Sequence, residues 1–120
     1  MLGKANILVV EENAFVALEF ADQIEAAGGV VIGPVASVTE ALSIIDTVAI
    51  DAAILDGDLA DRDVTPIALR LRELDIPAIV CSGTGLPPEL AQQRPDTLLF
   101  LKPTSVSKIV TYLAGLIINK

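Results

Sequence analysis

The stretch "AAILDGDLADRD", residues 52–63, is an apolar run that breaks off into acid. Ala52 to Leu55 show no polar alternation, so the run reads as a strand buried on both faces, as in a parallel sheet covered by helices. Asp56, Asp58, Asp61 and Asp63 follow within eight positions. Acidic loops are usually just solvated, and a strand reading is what separates the four. Asp56 closes the buried run. Asp58 lies just beyond it, Asp61 reads as plain surface, and Asp63 stands where it can cap a following helix.

Four more apolar runs flank this one: "NILVV" (6–10), "VVIGPV" (30–35), "PAIVCS" (77–82) and "TLLFL" (97–101). They too lack polar alternation and are expected to be buried on both faces. The segments between them carry a helical period. Residues 14–27 set Val16, Phe20, Ile24 and Ala27 on one face and stop at Gly28 and Gly29. Residues 38–46 form a shorter helix with Ser37 or Thr39 as its cap. Residues 64–74 group Val64, Ala68, Leu71 and Leu74 behind Asp63, and Pro66 in the first turn loses no needed hydrogen bond. A short helix over 87–93 is bounded by Pro95, and a strongly apolar one covers 104–119. Five βα units in a row predict a doubly wound α/β sandwich, because parallel crossovers are right-handed. No linker, repeat or low-complexity segment breaks the chain, so one domain without an attached output domain is expected over residues 1–120.

Composition narrows the chemistry. A hydrophobic fraction of 52% with three Phe, one Tyr and no Trp implies an aliphatic core. The net charge of −8 offers no basic patch for nucleic acid. Histidine is absent, which removes Ser-His-Asp catalysis and most zinc sites. The single cysteine, Cys81, cannot form an internal disulfide and reads as a small buried hydrophobe in a reducing, cytoplasmic setting. The start "MLGKANILVV" is too short for a signal peptide. No run approaches the roughly 20 apolar residues a membrane span needs.

In open α/β sheets the site lies outside the carboxyl ends of the strands. There the sequence sets Glu11 and Glu12 after the first strand, and Asp56 and Asp58 after the third. Ser82 and Gly83 stand after the fourth, and Lys102 and Pro103 after the fifth. Three or four carboxylates would share one crevice with a hydroxyl and an ammonium. Two carboxylates about 4 Å apart repel by roughly 4 kcal/mol at an effective dielectric of 20, so the group calls for a cation. Oxygen-only ligands point to a hard ion, Mg²⁺ or Mn²⁺. Metal, lysine and hydroxyl around one carboxylate suit phosphoryl transfer, which needs charge neutralisation and positioning.

The segments "ILVVEEN", "ILDGDL", "IVCSG" and "LFLKP", in that order, resemble a response-regulator receiver domain, the phosphoacceptor module of two-component signalling. The likeness covers essentially the whole chain. "GPVASVTEAL" and "SGTG" are similar to a subgroup of receivers in α-proteobacteria, found alone or fused to unusual partners. The resemblance implies a flavodoxin-like (βα)5 sandwich with strand order 2-1-3-4-5. It implies that Asp56 accepts a phosphoryl group from a histidine kinase or a histidine phosphotransfer protein. Glu11 and Glu12 would hold the metal with Asp56 and the backbone carbonyl of Asp58. Ser82 and Lys102 would bind the phosphoryl group, and the Lys102–Pro103 peptide would be cis.

Three departures from the family pattern stand out. The acidic pair is Glu-Glu rather than Asp-Asp or Glu-Asp. An extra methylene moves the second carboxylate by about 1.5 Å, so Mg²⁺ is expected to bind weakly, through a water or with a shifted backbone. Asp58 adds a carboxylate beside the phosphoacceptor, which either alters dephosphorylation or points to solvent. The aromatic switch position holds Leu99, and the adjacent Phe100 should face the other side of the strand.

The last helix carries Val106, Ile109, Val110, Leu113, Leu116 and Ile117, with Tyr112 and Ile118 beside them. This set either covers the sheet or also forms a dimer or partner surface. A separate output protein is expected. Two other readings stay open. A pseudo-receiver would keep the fold as an interaction module without taking phosphate. A haloacid-dehalogenase-like phosphatase would use Asp56 and Asp58 as its D-x-D motif, but that family's acidic pair follows the lysine, whereas Glu11 and Glu12 lie upstream.

Overall fold

The computed structural model describes residues 1–59 and 62–118; Ala60, Asp61, Asn119 and Lys120 lie outside the described residues, and with Asp61 the expectation of a plain surface residue. The elements run β1 (Asn6–Val10), α1 (Ala14–Ala26), β2 (Val30–Val35), α2 (Val38–Thr47), β3 (Ala52–Asp56), α3 (Thr65–Glu73), β4 (Ala78–Ser82), α4 (Pro88–Gln93), β5 (Leu98–Leu101) and α5 (Val106–Ile118). The five strands form one parallel sheet in the order β2-β1-β3-β4-β5. This is the flavodoxin-like sandwich expected.

The period-two rule builds two cores from the same strands. Leu8, Val10, Ala53, Leu55 and Val80 meet Val38, Ala41, Ile45, Ile67 and Leu71 from α2 and α3, and Leu90 of α4. Ile7, Val9, Ala52, Ile54 and Ile79 meet Phe20 and Ile24 of α1 and Ile109, Val110 and Leu113 of α5. Each Val, Leu, Ile or Phe among them contributes about 1.5–3 kcal/mol when fully buried.

Caps set the helix starts. Asn13 Oδ1 accepts from the backbone N–H of Phe15 and Val16 at the start of α1. Ser37, not Thr39, caps α2. Its Oγ accepts from Glu40 N at 3.2 Å and also donates to Glu40 Oε1. Gly28, at φ +89°, takes the left-handed turn that ends α1.

Several expectations need correction. Only β1, β3 and β4 are buried on both faces. β2 and β5 are the sheet edges, with Val30 43% and Leu101 57% exposed. Leu74 does not join Val64, Ala68 and Leu71 inside, because it lies past the last turn of α3 and is exposed. Asp63 lies one residue before the formal cap, Val64; its carboxylate still accepts from Thr65 N at 2.8 Å. The last helix begins at Val106, two residues later than predicted, since residues 102–105 form the turn out of β5. Among the described residues no helix is long and apolar enough to cross a membrane.

Candidate functional site

The register brings the strand ends level. Val10 pairs with Leu55, Asp56 with Cys81, and Ser82 with Leu101. The ladder then continues one step past each strand. Glu11 N donates to Val35 O, Gly57 N to Cys81 O, and Lys102 N to Ser82 O, at 2.8 to 2.9 Å. Glu11, Asp56, Ser82 and Lys102 are therefore held by backbone bonds, and their side chains leave the sheet at one edge.

Asp56 is 4% exposed and receives Lys102 Nζ at 2.8 Å and Asp58 N at 2.9 Å, both on Oδ1. Ser82 is buried. Its hydroxyl donates to Asp58 Oδ1 at 3.2 Å and accepts from Thr84 N at 3.1 Å. Partial burial works against the Lys102 ammonium, but bonds to Asp56 and Asp58 outweigh it and raise its pKa. Glu11 is buried and is pushed up to about 7, by loss of water first and then by a hydrogen bond to Asp56 and that group's charge. Asn13 N, donating to Glu11 Oε2 at 3.0 Å, and Lys102 pull the other way. The Lys102–Pro103 peptide is cis, as is Gly33–Pro34.

Three carboxylates, Glu11, Asp56 and Asp58, share the expected crevice with the Lys102 ammonium and the Ser82 hydroxyl, but they are not arranged as a metal cage. Among the described residues no three His, Cys, Asp or Glu side chains are placed to hold a metal ion together. Glu11 and Asp56 meet, Glu12 is exposed, and Asp58 turns toward Ser82, Gly83 and Lys102. The Glu11–Asp56 pair alone still fits a hard cation. It is a buried pair of oxygen donors whose mutual repulsion is eased by Lys102 and by the backbone N–H groups of Asn13 and Asp58. Mg²⁺ commonly binds through one or two carboxylates and keeps several waters.

Sequence reasoning missed three supports of the site. Asn13 both caps α1 and fixes Glu11, and the signal was an Asn just before a helical period. Thr84 holds the Ser82 hydroxyl through its N–H. At Gly57 a Cβ would stand 2.9 Å from Ser82 Cβ and 3.2 Å from Val80 Cγ1, so only glycine lets the end of β3 lie against β4. Leu99 packs on the α2–α3 side and Phe100 on the α1–α5 side, where its ring meets Tyr112 edge-on at 5.4 Å. No aromatic ring therefore occupies the switch position.

The fold is matched in solved structures. The solution structure of SdrG from Pseudomonas melonis Fr1, in its BeF3-activated conformation, is 30% identical, with 98% of this chain and 99% of that one covered and a TM-score of 0.73. A response regulator receiver protein from Sinorhizobium medicae WSM419 is 26% identical, with 98% and 97% covered and a TM-score of 0.81. The chain belongs to the response-regulator receiver family. The solution structure of SdrG from Sphingomonas melonis Fr1 is 29% identical over 97% of this chain and 98% of that one, at a TM-score of 0.77. No protein-family model matches this receiver, and no curated protein matches it in sequence.

Proposed function

We propose that this receiver takes a phosphoryl group on Asp56 from a phosphohistidine of a histidine kinase or phosphotransfer protein. One observation carries the reading. A buried carboxylate stands at the end of β3 with an ammonium 2.8 Å away, and a buried hydroxyl stands at the adjacent strand end. A carboxylate oxygen of Asp56 attacks phosphorus. The P–O bond forms as the P–N bond to the donor imidazole breaks, and the imidazole leaves with the bond's electrons. Lys102 and the Ser82 hydroxyl neutralise and orient the phosphoryl oxygens. Mg²⁺ or Mn²⁺, held by Glu11 and Asp56 with the Asp58 carbonyl and Glu12 as further candidates, would neutralise phosphoryl charge when bound. The chain does no chemistry on other substrates, and its family membership speaks against the phosphatase reading.

Phe15 and Leu18 are exposed on α1, which follows Glu11 in the chain, and offer the donor an apolar surface to dock on. Output passes to a separate protein, and the exposed Tyr112, Ile118 and Leu101 suit a dimer or partner contact at α5. A cytoplasmic setting and the α-proteobacterial subgroup belong to this same proposal. The deciding experiment is labelling by radiolabelled acetyl phosphate with Mg²⁺. Wild type should be labelled and Asp56→Asn should not; equal behaviour of the two refutes the reading. A pseudo-receiver is the second reading, and it draws on Asp58, which already occupies donors that a phosphoryl group would use. It predicts no labelling of either protein.

A further inference from the structure

Asp58 is engaged more fully than a surface carboxylate needs to be. Its position follows from the two residues before it. Gly57 lets β3 end flush against β4, and Asp58 N donates to Asp56 Oδ1 at 2.9 Å, which curls the loop back over the site. The Asp58 carboxylate then faces the end of β4. Oδ1 accepts the Ser82 hydroxyl at 3.2 Å, Oδ2 accepts Gly83 N–H at 3.0 Å, and Lys102 Nζ lies 3.1 Å from Oδ2. These bonds outweigh the cost of partial desolvation and keep the group ionised.

The three donors are a hydroxyl, a backbone N–H and an ammonium, converging from two strand ends. That is a receptor for a compact anion with several oxygens. A phosphoryl group on Asp56 is such an anion, and Asp58 leaves those donors already taken. The Ser82 hydroxyl and the Gly83 N–H each have one proton to give, so a second anion cannot take them while Asp58 holds them, and the two negative charges repel at close range.

We propose that the Asp58 side chain is an internal stand-in for the phosphoryl group, seated on Ser82, Gly83 and Lys102 until Asp56 is charged, and then released to solvent. The proposal rests on the phosphoacceptor reading above and adds a competition to it. The side chain is 37% exposed, so its way out is open. Two consequences follow. Ser82 is drawn toward the site before any phosphate arrives, so its position does not by itself report phosphorylation. The receiver also resists charging, because the incoming group must displace a resident one. An occupant seated about nine-tenths of the time weakens the apparent affinity of its competitor about tenfold.

The test compares wild type with Asp58→Ala and Asp58→Asn, using beryllofluoride with Mg²⁺ as the phosphoryl probe and the Gly83 amide resonance as the readout. Without metal or beryllofluoride, Asp58→Ala should move the Gly83 amide proton upfield, because its carboxylate acceptor is gone. In the titration, Asp58→Ala should reach half-saturation at about tenfold lower beryllofluoride than wild type. Asp58→Asn, which keeps the shape but not the ion pair, should fall between them. Equal half-saturation in wild type and Asp58→Ala overturns this proposal while leaving the phosphoacceptor reading intact. So does a Gly83 resonance that ignores the truncation. If Asp58→Ala does not fold, Asp58→Asn decides, and tightening of less than about twofold overturns the proposal. No binding by any of the three proteins overturns both readings.

Discussion

In the absence of divalent metal, this protein should gain stability as pH falls from 8 to 5, the reverse of ordinary acid behaviour. Glu11 is the reason. Its ordinary value of 4.5 is pushed up to about 7 in the fold by burial, then by the hydrogen bond and charge of Asp56. The unfolded chain keeps the Glu11 proton only below about 4.5, and the folded chain keeps it up to about 7. Between those values the folded state binds more protons, so stability rises as pH drops through 7 and is fully gained below 4.5. The separation corresponds to about 3 kcal/mol at most, a large share of the margin of a small domain. Asp58 and Asp96 are shifted the other way, and the stability they contribute is lost only below the ordinary carboxylate range. The window from pH 5 to 8 therefore belongs to Glu11. Urea denaturation followed by circular dichroism in EDTA at pH 5, 6, 7 and 8 measures it, with Glu11→Gln as the reference. Wild type should lose about 2–3 kcal/mol relative to Glu11→Gln as pH rises, and Mg²⁺ should restore more stability at pH 8 than at pH 5. Parallel pH profiles for the two proteins would refute this role for Glu11.

Other substitutions probe other parts of the site. Gly57→Ala forces a Cβ to within 2.9 Å of Ser82 Cβ. It should cost about 1–3 kcal/mol in urea denaturation; a loss under about 0.5 kcal/mol would mean the strand ends part freely. Asn13→Ala removes the side-chain cap of α1 and should cost about 1 kcal/mol, while the backbone N–H that donates to Glu11 stays and the pH effect above is unchanged. Lys102→Gln takes away the cation beside Asp56, and acetyl-phosphate labelling should fall about a hundredfold. Labelling within about threefold of wild type would remove Lys102 from the reaction.

Much of the fold could be read because three strands are buried on both faces. An unalternating run such as "AAIL" is too short for a buried helix, which leaves a strand covered on both sides. The edges were less legible. "VVIGPV" and "TLLFL" look as apolar as the central runs, but nothing local records that one side of each meets water. The opposite facing of Leu99 and Phe100 follows from strand period alone. The side chains past the strand ends obey no such period. Asp58 turns inward and Glu12 is exposed because of loop hydrogen bonds, among them Asp58 N to Asp56 and Asn13 N to Glu11, which no spacing rule reports. Leu74 departs from its expected stripe for a similar reason, since one residue past a helix end the 3.6 period no longer sets the direction.

Cys81 is the partner of Asp56 in the register, buried in the α1–α5 core, with its thiol pushed up to about 12 by loss of water. A thiol held that far from its reactive anion is inert while the sheet is closed. As the only cysteine in the chain, it becomes a chemical clock at the centre of the molecule. An alkylating reagent can mark it only when β4 and its covering helices open, so the labelling rate counts those openings. Because Cys81 sits one residue from Ser82, the same clock times the loosening of the strand end that would answer to phosphate.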